Sequence, residues 1–361
     1  MTFDVNPDVR KASTLPSAFY TSQEVFDAAK ERIFARSWQY IDRSDIVSVP
    51  GQASPATLLE GCLDEPILFT RDRDDSLHCL SNVCTHRGNI LCEGTTHGNS
   101  LRCRYHGRRF GLDGKMQSMP EFEDVEGFPS EADHLPKVPF GTWRDFIFAS
   151  VSPEIPLESY LADVQSRVGW LPIEEFVPAP DRARDYLVHG HWALYIDNYL
   201  EGFHIPYIHA GLNATLNYSE YATELLEFGN LQLGVAADGE EVFDLPESSP
   251  DHGKRIAAYY FWMFPNLMLN YYPWGLSINV VRPLGPSLTK VSFIPFVWRP
   301  EKLAQGAGAA LDRVEREDEA VVELVQKGIR SRFYDRGRYS PKRENGVHQF
   351  HLMLANHLNR A

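Results

Sequence analysis

A chain of 361 residues with 43% hydrophobic and 23% charged side chains is too long for one ordinary domain, fits two, and is neither disordered nor of low complexity. Its formal net charge of −14 argues against nucleic acid as a partner, and its apolar run Ala257–Phe264 falls far short of the roughly 20 residues that span a bilayer. The N-terminal segment has scattered charges and no apolar signal core, and five cysteines do not make a disulfide framework, so a cytoplasmic protein is expected.

Residues 1–40 hold an amphipathic helix, Ser22 to Trp38, opened by a serine N-cap and carrying Val25, Ala28, Ile33 and Trp38 roughly at helical spacing. It reads as a packing arm. Over 41–155 the pattern changes to short strand-like runs such as PILFTR, LHCLSNV and FIFASV, separated by Gly, Pro and Asp113-Gly114 turn signals, which predict a small all-β domain. A second domain, 156–361, opens with the Pro-rich connection Leu171–Pro180. In it DYLVHGHWALYI reads as a strand, and after a short helical segment the runs AAYYFWMF, LMLNYY, LSINVV and KVSFIPFVW predict an antiparallel sheet. The last clear element is a helix over about Ala309–Lys327, closed by Gly328. The fold class is α+β.

Cys84-Thr-His86-Arg-Gly and, further on, Cys103-Arg-Tyr-His106-Gly107 put two Cys-His pairs on two neighbouring loops. A two-iron, two-sulfur cluster with two histidines on one iron and two cysteines on the other needs this donor set. Structural zinc also accepts two of each, but it usually groups like ligands, whereas here Cys and His alternate. Gly88 and Gly107 suit tight loops whose N–H groups approach sulfur, while Cys62, Cys79 and Cys92 lack a matching histidine and read as buried thiols. Arg87, Arg102, Arg104, Arg108 and Arg109 make a basic island around the motif, either plain solvated side chains or a docking face for an acidic electron donor.

Downstream, Glu201, His204 and His209 form Glu-x₂-His-x₄-His, with Pro206 disturbing the turn so that both imidazoles can converge on one metal. Such a pair is weak evidence alone and needs a third ligand. On the C-terminal helix Leu311, Val314, Val321 and Val325 form an apolar stripe with Asp318 inside it, while Asp312, Glu315 and Glu319 lie off the stripe and read as solvated charges. His204, His209 and Asp318 would make a two-His, one-carboxylate iron triad with open positions; a salt-bridged helix carboxylate is the alternative for Asp318. His189 and His191, two apart on the expected strand, share a face and read as hydrogen-bonded or pocket-lining, as do His348 and His351.

CTHRG followed by CRYHG resembles the Rieske signature of the ring-hydroxylating oxygenase large subunits and of the choline and carnitine monooxygenase branch, and the resemblance extends over nearly the whole chain. It implies an N-terminal Rieske β-domain and a C-terminal helix-grip domain. It also implies one [2Fe-2S] cluster on Cys84, His86, Cys103 and His106, and one mononuclear Fe(II) on His204, His209 and Asp318. Dioxygen would be the co-substrate. Electrons would come from NAD(P)H through a separate reductase or ferredoxin, since no Gly-rich dinucleotide fingerprint is visible. By the same resemblance Glu201 takes the position of an acid that bridges His106 of one subunit to His204 of the next, which requires a ring of subunits, commonly a homotrimer. Ring hydroxylases usually have Asp there and the quaternary-amine branch often Glu, so hydroxylation or oxidative demethylation of a small quaternary amine is expected. The rivals are cis-dihydroxylation of an aromatic ring and a Rieske electron carrier without oxygen chemistry. Tyr259, Tyr260, Trp262, Tyr271, Tyr272 and Trp274 are either core or include an aromatic cage for a quaternary ammonium.

Overall fold

The computed structural model describes residues 2–360, which divide into two compact units: 35–157, and 2–34 together with 158–360. The arm therefore belongs to the larger unit and supplies α1 (Ser17–Thr21) and α2 (Gln23–Arg32). Ser22 caps α2 as expected, its Oγ accepting from the Val25 N–H, but the helix stops at Arg32, well short of Trp38. The five-residue step from Ile33 to Trp38 is not a helical period. Ile33 caps α2, its N–H still donating to the Ala29 carbonyl, and Trp38 joins the smaller unit, where its indole N–H donates to the Ile155 carbonyl at 2.9 Å.

The smaller unit is all-β. It contains β1 (Gln39–Arg43), β2 (Gln52–Leu58), β3 (Glu65–Arg71), β4 (Leu77–Ser81), β5 (Thr96–His97), β6 (Leu101–Arg102), β7 (Arg109–Phe110), β8 (Met116–Ser118), β9 (Phe140–Trp143) and β10 (Phe146–Ala149). These form sheets in the orders β1-β10-β9, β4-β3-β2-β5 and β6-β7-β8. Successive residues of a strand point to opposite faces, and β3 uses both. Ile67 and Phe69 enter one apolar core with Ile147 and Cys79, while Leu68 enters another with Leu80, Leu101 and Phe110. Cys84 and Cys103 lie in that second core, so the sheet fixes the floor beneath both Cys-His loops.

In the larger unit α3 (Leu157–Tyr160) and α4 (Ala162–Val168) lead into the strands β11 (Val177–Pro178) and β12 (Arg184–Val188). The expected connection over Leu171–Pro180 thus includes a short edge strand. DYLVHGHWALYI is not one strand: β12 ends at Val188, and α5 (Trp192–Tyr199) begins two residues after Gly190. A Cβ on Gly190 would lie 2.9 Å from Val322 Cγ1, so the chain turns there against a neighbouring helix. His191 caps α5 through Nδ1, which accepts from the Ala193 N–H, and is buried, while His189 is exposed. The two histidines therefore do not share a face.

Next come α6 (Ile205–Ile208), α7 (Ala210–Thr215) and the strands β13 (Ala222–Leu225), β14 (Gly229–Val235), β15 (Ile256–Met263), β16 (Leu267–Tyr272), β17 (Gly275–Gly285) and β18 (Leu288–Val297). The eight-stranded antiparallel sheet runs β11-β18-β17-β16-β15-β14-β13, with β12 also paired to β18. α8 (Leu311–Gly328) packs against α5 and β12. Gly328 is its last residue and Ile329 follows with right-handed φ and ψ, so the expected left-handed glycine cap is absent. A further helix, α9 (Asn345–Asn359), was not visible in the residue pattern; it packs on α2, α5 and β13 and holds His348 and His351 in hydrogen bonds to Asn6, Tyr20, Asp197 and Tyr339.

The inward face of α8 is not the expected apolar stripe. Its buried residues are Glu315, Val322 and Gln326, whereas Val325 is 41% exposed. The helix packs on polar groups at the β12–α5 junction: Gln326 Oε1 accepts from the buried His191 N–H at 2.6 Å and Glu323 Oε1 from the His189 N–H at 3.0 Å. Among the described residues no helix is long and apolar enough to cross a membrane.

Candidate metal centres

The two Cys-His loops repeat one backbone pattern. Cys84 N–H donates to Asn89 O and Gly88 N–H to Cys84 O; Cys103 N–H donates to Arg108 O and Gly107 N–H to Cys103 O, at 2.8 to 3.0 Å. Gly88 and Gly107 close these turns at φ of +70° and +79°, where a side chain would be strained. The loops bring His86 Nδ1 and His106 Nδ1 to 3.2 Å, while the Cys84 and Cys103 thiols meet in the core. Burial pushes the Cys84 thiol up, and the same cause pushes Cys79, outside the motif, to about 12.

Among the described residues the one set of three or more His, Cys or carboxylate donors lying within 4.8 Å of one another is elsewhere in the chain. Thiol paired with thiol and imidazole with imidazole suit a cluster with thiolates on one iron and imidazoles on the other better than four donors on a single zinc. Cys62 and Cys92 are buried and form no disulfide.

Arg108 does not belong to a docking face. It is 2% exposed, donates to Thr85 Oγ1 at 2.7 Å and Asp133 Oδ1 at 3.1 Å, and stacks over Phe122 and Phe128. Its role is to tie the first loop to the Asp133 turn. Arg87, Arg102, Arg104 and Arg109 remain exposed.

In the larger unit the set of donors is His204, His209 and Asp318. His204 Nε2 lies 3.2 Å from His209 Nε2 and 3.5 Å from Asp318 Oδ1, and His209 Nε2 lies 3.0 Å from Asp318 Oδ1. Local sequence explains the convergence. After α5 ends, Glu201 Oε2 accepts from the N–H groups of Phe203 and His204, which starts α6; His209, with φ −108° and ψ 72°, breaks α6 from α7 and so turns back toward His204.

The far nitrogen of each ring is also held. His204 Nδ1 bonds Glu201 Oε1 at 2.6 Å, and His209 Nδ1 bonds Glu317 Oε2 at 2.8 Å. A carboxylate on Nδ1 selects the tautomer whose Nε2 lone pair is free for a metal. Burial alone would lower the pKa of His209, but Asp318 and Glu317 outweigh it and the net shift is upward, while the His209 hydrogen bond holds Glu317 below the usual carboxylate range. Asn198 Nδ2 donates to Asp318 Oδ1 at 2.6 Å, which orients the third donor. Three donors on one side with the other positions open fit a mononuclear iron of the two-His, one-carboxylate kind.

A cavity of about 100 Å³ adjoins the triad. Of the six aromatics expected as core or cage, Tyr260 and Tyr272 line it, Trp274 stacks behind Tyr272 at 5.2 Å, and Tyr259, Trp262 and Tyr271 are fully buried core. Its charged lining, besides the two histidines, is wholly acidic among the described residues: Glu201, Glu315 and Asp318. Glu315 corrects the reading of a solvated charge. It is 3% exposed and accepts from Tyr195 OH at 2.7 Å; burial, together with the nearby acids and against that hydrogen bond, pushes its carboxyl well above the usual range. Tyr195, Tyr199 and Tyr221 also line the cavity and were missed; the signal for Glu315 was its place one helical turn before Asp318.

Known families match both parts of the chain. The family described as Rieske [2Fe-2S] domain matches residues 37–129, and that described as Ring hydroxylating alpha subunit (catalytic domain) matches residues 179–360. The chain is 29% identical over 376 residues to the chloroplastic choline monooxygenase of Arabidopsis thaliana, covering 99% of this chain and 85% of that protein. It is also 29% identical over 371 residues to the carnitine monooxygenase oxygenase subunit of Escherichia coli (strain K12), covering 98% and 95%. A solved quaternary ammonium Rieske monooxygenase superposes with a TM-score of 0.76 at 26% identity, over 98% of this chain and 97% of that one. The catalytic-domain match alone takes in half of the chain, which belongs to the ring-hydroxylating alpha-subunit family of Rieske oxygenases: an oxygen-incorporating oxidoreductase with a [2Fe-2S] cluster, a mononuclear iron, and electrons supplied by a reductase.

Proposed function

We propose that this chain is the oxygenase component of a monooxygenase acting on a small cationic amine, in which Cys84, His86, Cys103 and His106 hold the cluster and His204, His209 and Asp318 hold the iron. The observation that carries the substrate class is the cavity beside the triad, whose acids are joined by tyrosine rings and by no Lys or Arg among the described residues. Such a lining favours a positive charge and disfavours an aromatic acid. The related proteins named for choline, carnitine and quaternary ammonium support the same reading.

When bound, the two centres relay single electrons and activate dioxygen, for a net R–H + O₂ + 2e⁻ + 2H⁺ → R–OH + H₂O. The chain's own residues do the rest. Asn198 and Glu317 keep Asp318 and His209 in register, and Glu201 fixes the His204 ring. In this reading Glu201 also meets His106 of a neighbouring subunit, which makes the working form a homotrimer. Exposed Phe203 and Tyr207 beside Glu201, and exposed Tyr105 beside His106, suit a subunit contact. The related quaternary ammonium enzyme is described in terms of inter-subunit electron transfer. The electron donor is a separate NAD(P)H-dependent reductase or ferredoxin that meets the exposed arginines. Buried cysteines that form no disulfide fit a reducing compartment, which we take to be the cytoplasm.

Turnover with a reductase against a panel of quaternary amines and aromatic acids tests the substrate class. Oxygen uptake coupled to a hydroxylated or demethylated amine is the expected result; a cis-diol from an aromatic substrate, with the amines inert, would contradict it.

A further inference from the structure

We propose that Glu315 is the substrate-specificity residue of this site, its carboxylate oxygen Oε1 neutralising the positive charge of the bound amine. The inference rests on the reading of the substrate as a cation and adds to it the group that recognises the charge.

Glu315 is 3% exposed and lines the cavity, and only half of its carboxylate is used: Oε2 accepts from Tyr195 OH at 2.7 Å, while Oε1 has no hydrogen-bond partner among the described residues. A buried carboxylate left half-satisfied is costly. Packing does not explain it, because a neutral glutamine could accept from Tyr195 equally well without placing a charge near Asp318. Burial and the nearby acids favour the protonated group while the cavity is empty, and a bound cation supplies the compensation that lets it ionise.

Leu311, Val314, Glu315 and Asp318 all line the cavity from one face of α8. Three residues along a helix are about 4.5 Å of rise, so Glu315 stands one turn from the iron triad. An ammonium nitrogen held there would leave a carbon bonded to it within reach of the triad. A quaternary nitrogen has no N–H, so its attraction to Oε1 is Coulombic. The rings of Tyr260 and Tyr272, 5.9 Å apart edge to face, line the same space and can share the charge through cation–π contact.

Calorimetric titration of the iron-loaded, oxidised holoenzyme under nitrogen, with choline and its neutral isostere 3,3-dimethylbutan-1-ol as probes, tests the assignment. The parent should bind choline about 10-fold or more tightly than the alcohol, and Glu315→Gln should bring the two within about 2-fold by weakening choline alone. Glu315→Asp, which keeps the carboxyl group, should retain the parental preference within a few-fold. A Glu315→Gln protein with full iron and the parental preference would overturn the role of Glu315 and leave the cationic-amine reading standing. A parent without preference would overturn that reading and this inference with it. Loss of preference in Glu315→Asp as large as in Glu315→Gln would show that shape rather than charge is read, which also overturns it.

Discussion

His204 and His209 each carry a carboxylate on the ring nitrogen that faces away from the triad, and these two acids reach the rings by different routes. Glu201 comes from the same segment as His204, while Glu317 comes from α8, next to Asp318, and is itself held by Arg313 at 3.0 Å. Glu317→Ala should therefore weaken iron binding by about 10–100-fold, the usual effect of removing such a partner, and leave the cluster's visible absorption unchanged. A chelator titration that found parental iron affinity would show that Glu317 is only a surface acid. His191 gives a second test. Burial lowers its pKa from 6.5 to about 3, so between those values the unfolded chain binds the extra proton and the folded one does not. Stability from this residue is complete above pH 6.5 and falls as pH drops, by up to about 1.4 kcal/mol per pH unit. His191→Asn keeps an N-capping side chain and should remove that slope from denaturant midpoints measured between pH 7 and 5; an unchanged slope would assign it to other groups. Residue spacing offered the Glu201–His209 segment as a candidate, since its members are neighbours in the chain, but only together with Asp318 did it read as a metal site. Spacing did not reveal that Glu315 faces inward, because the phase of α8 is set by what the helix packs on.

At the scale of elements, the short loops were the legible part. Cys84 to Gly88 and Cys103 to Gly107 carry donors and turn glycines within five residues, so no tertiary information is needed to read them. α5 and α8 were less legible for one shared reason. Each presents polar groups inward, His191 at the start of α5 and Glu315 and Gln326 on α8, and an apolar period cannot locate such a face. α9 was hidden because its inward face mixes His348 and His351 with Val347, Phe350 and Leu354. The arginines of the smaller unit split by the same logic. Arg108→Ala would leave Asp133 unpaired and the Thr85 loop untied, and should destabilise the unit by about 2 kcal/mol or more, seen as a lower midpoint for thermal loss of the cluster absorption. Arg104→Glu with Arg109→Glu alters exposed side chains, so stability should hold while reduction by the donor slows, most at low salt. Equal effects of the two changes on stability would remove the distinction.

The whole molecule carries two centres of unlike chemistry, one made of donors close in sequence and the other completed by Asp318 from a helix 109 residues beyond His209. Purified protein should hold about three irons and two acid-labile sulfides per chain. If Glu201 links one subunit's His106 to the next subunit's His204, Glu201→Gln should leave those contents and the oligomer mass unchanged while slowing reoxidation of the cluster. Single turnover reads the coupling between the centres: protein with its cluster reduced and its mononuclear iron ferrous, one electron from each, is mixed with dioxygen and a quaternary amine in the absence of reductase. The parent should reoxidise its cluster and form about one oxygenated product per iron site, and His204→Ala should keep the cluster's absorption yet lose the mononuclear iron and the product. Product formed by His204→Ala at the parental yield, or loss of its cluster with the fold intact, would contradict two separate and coupled centres.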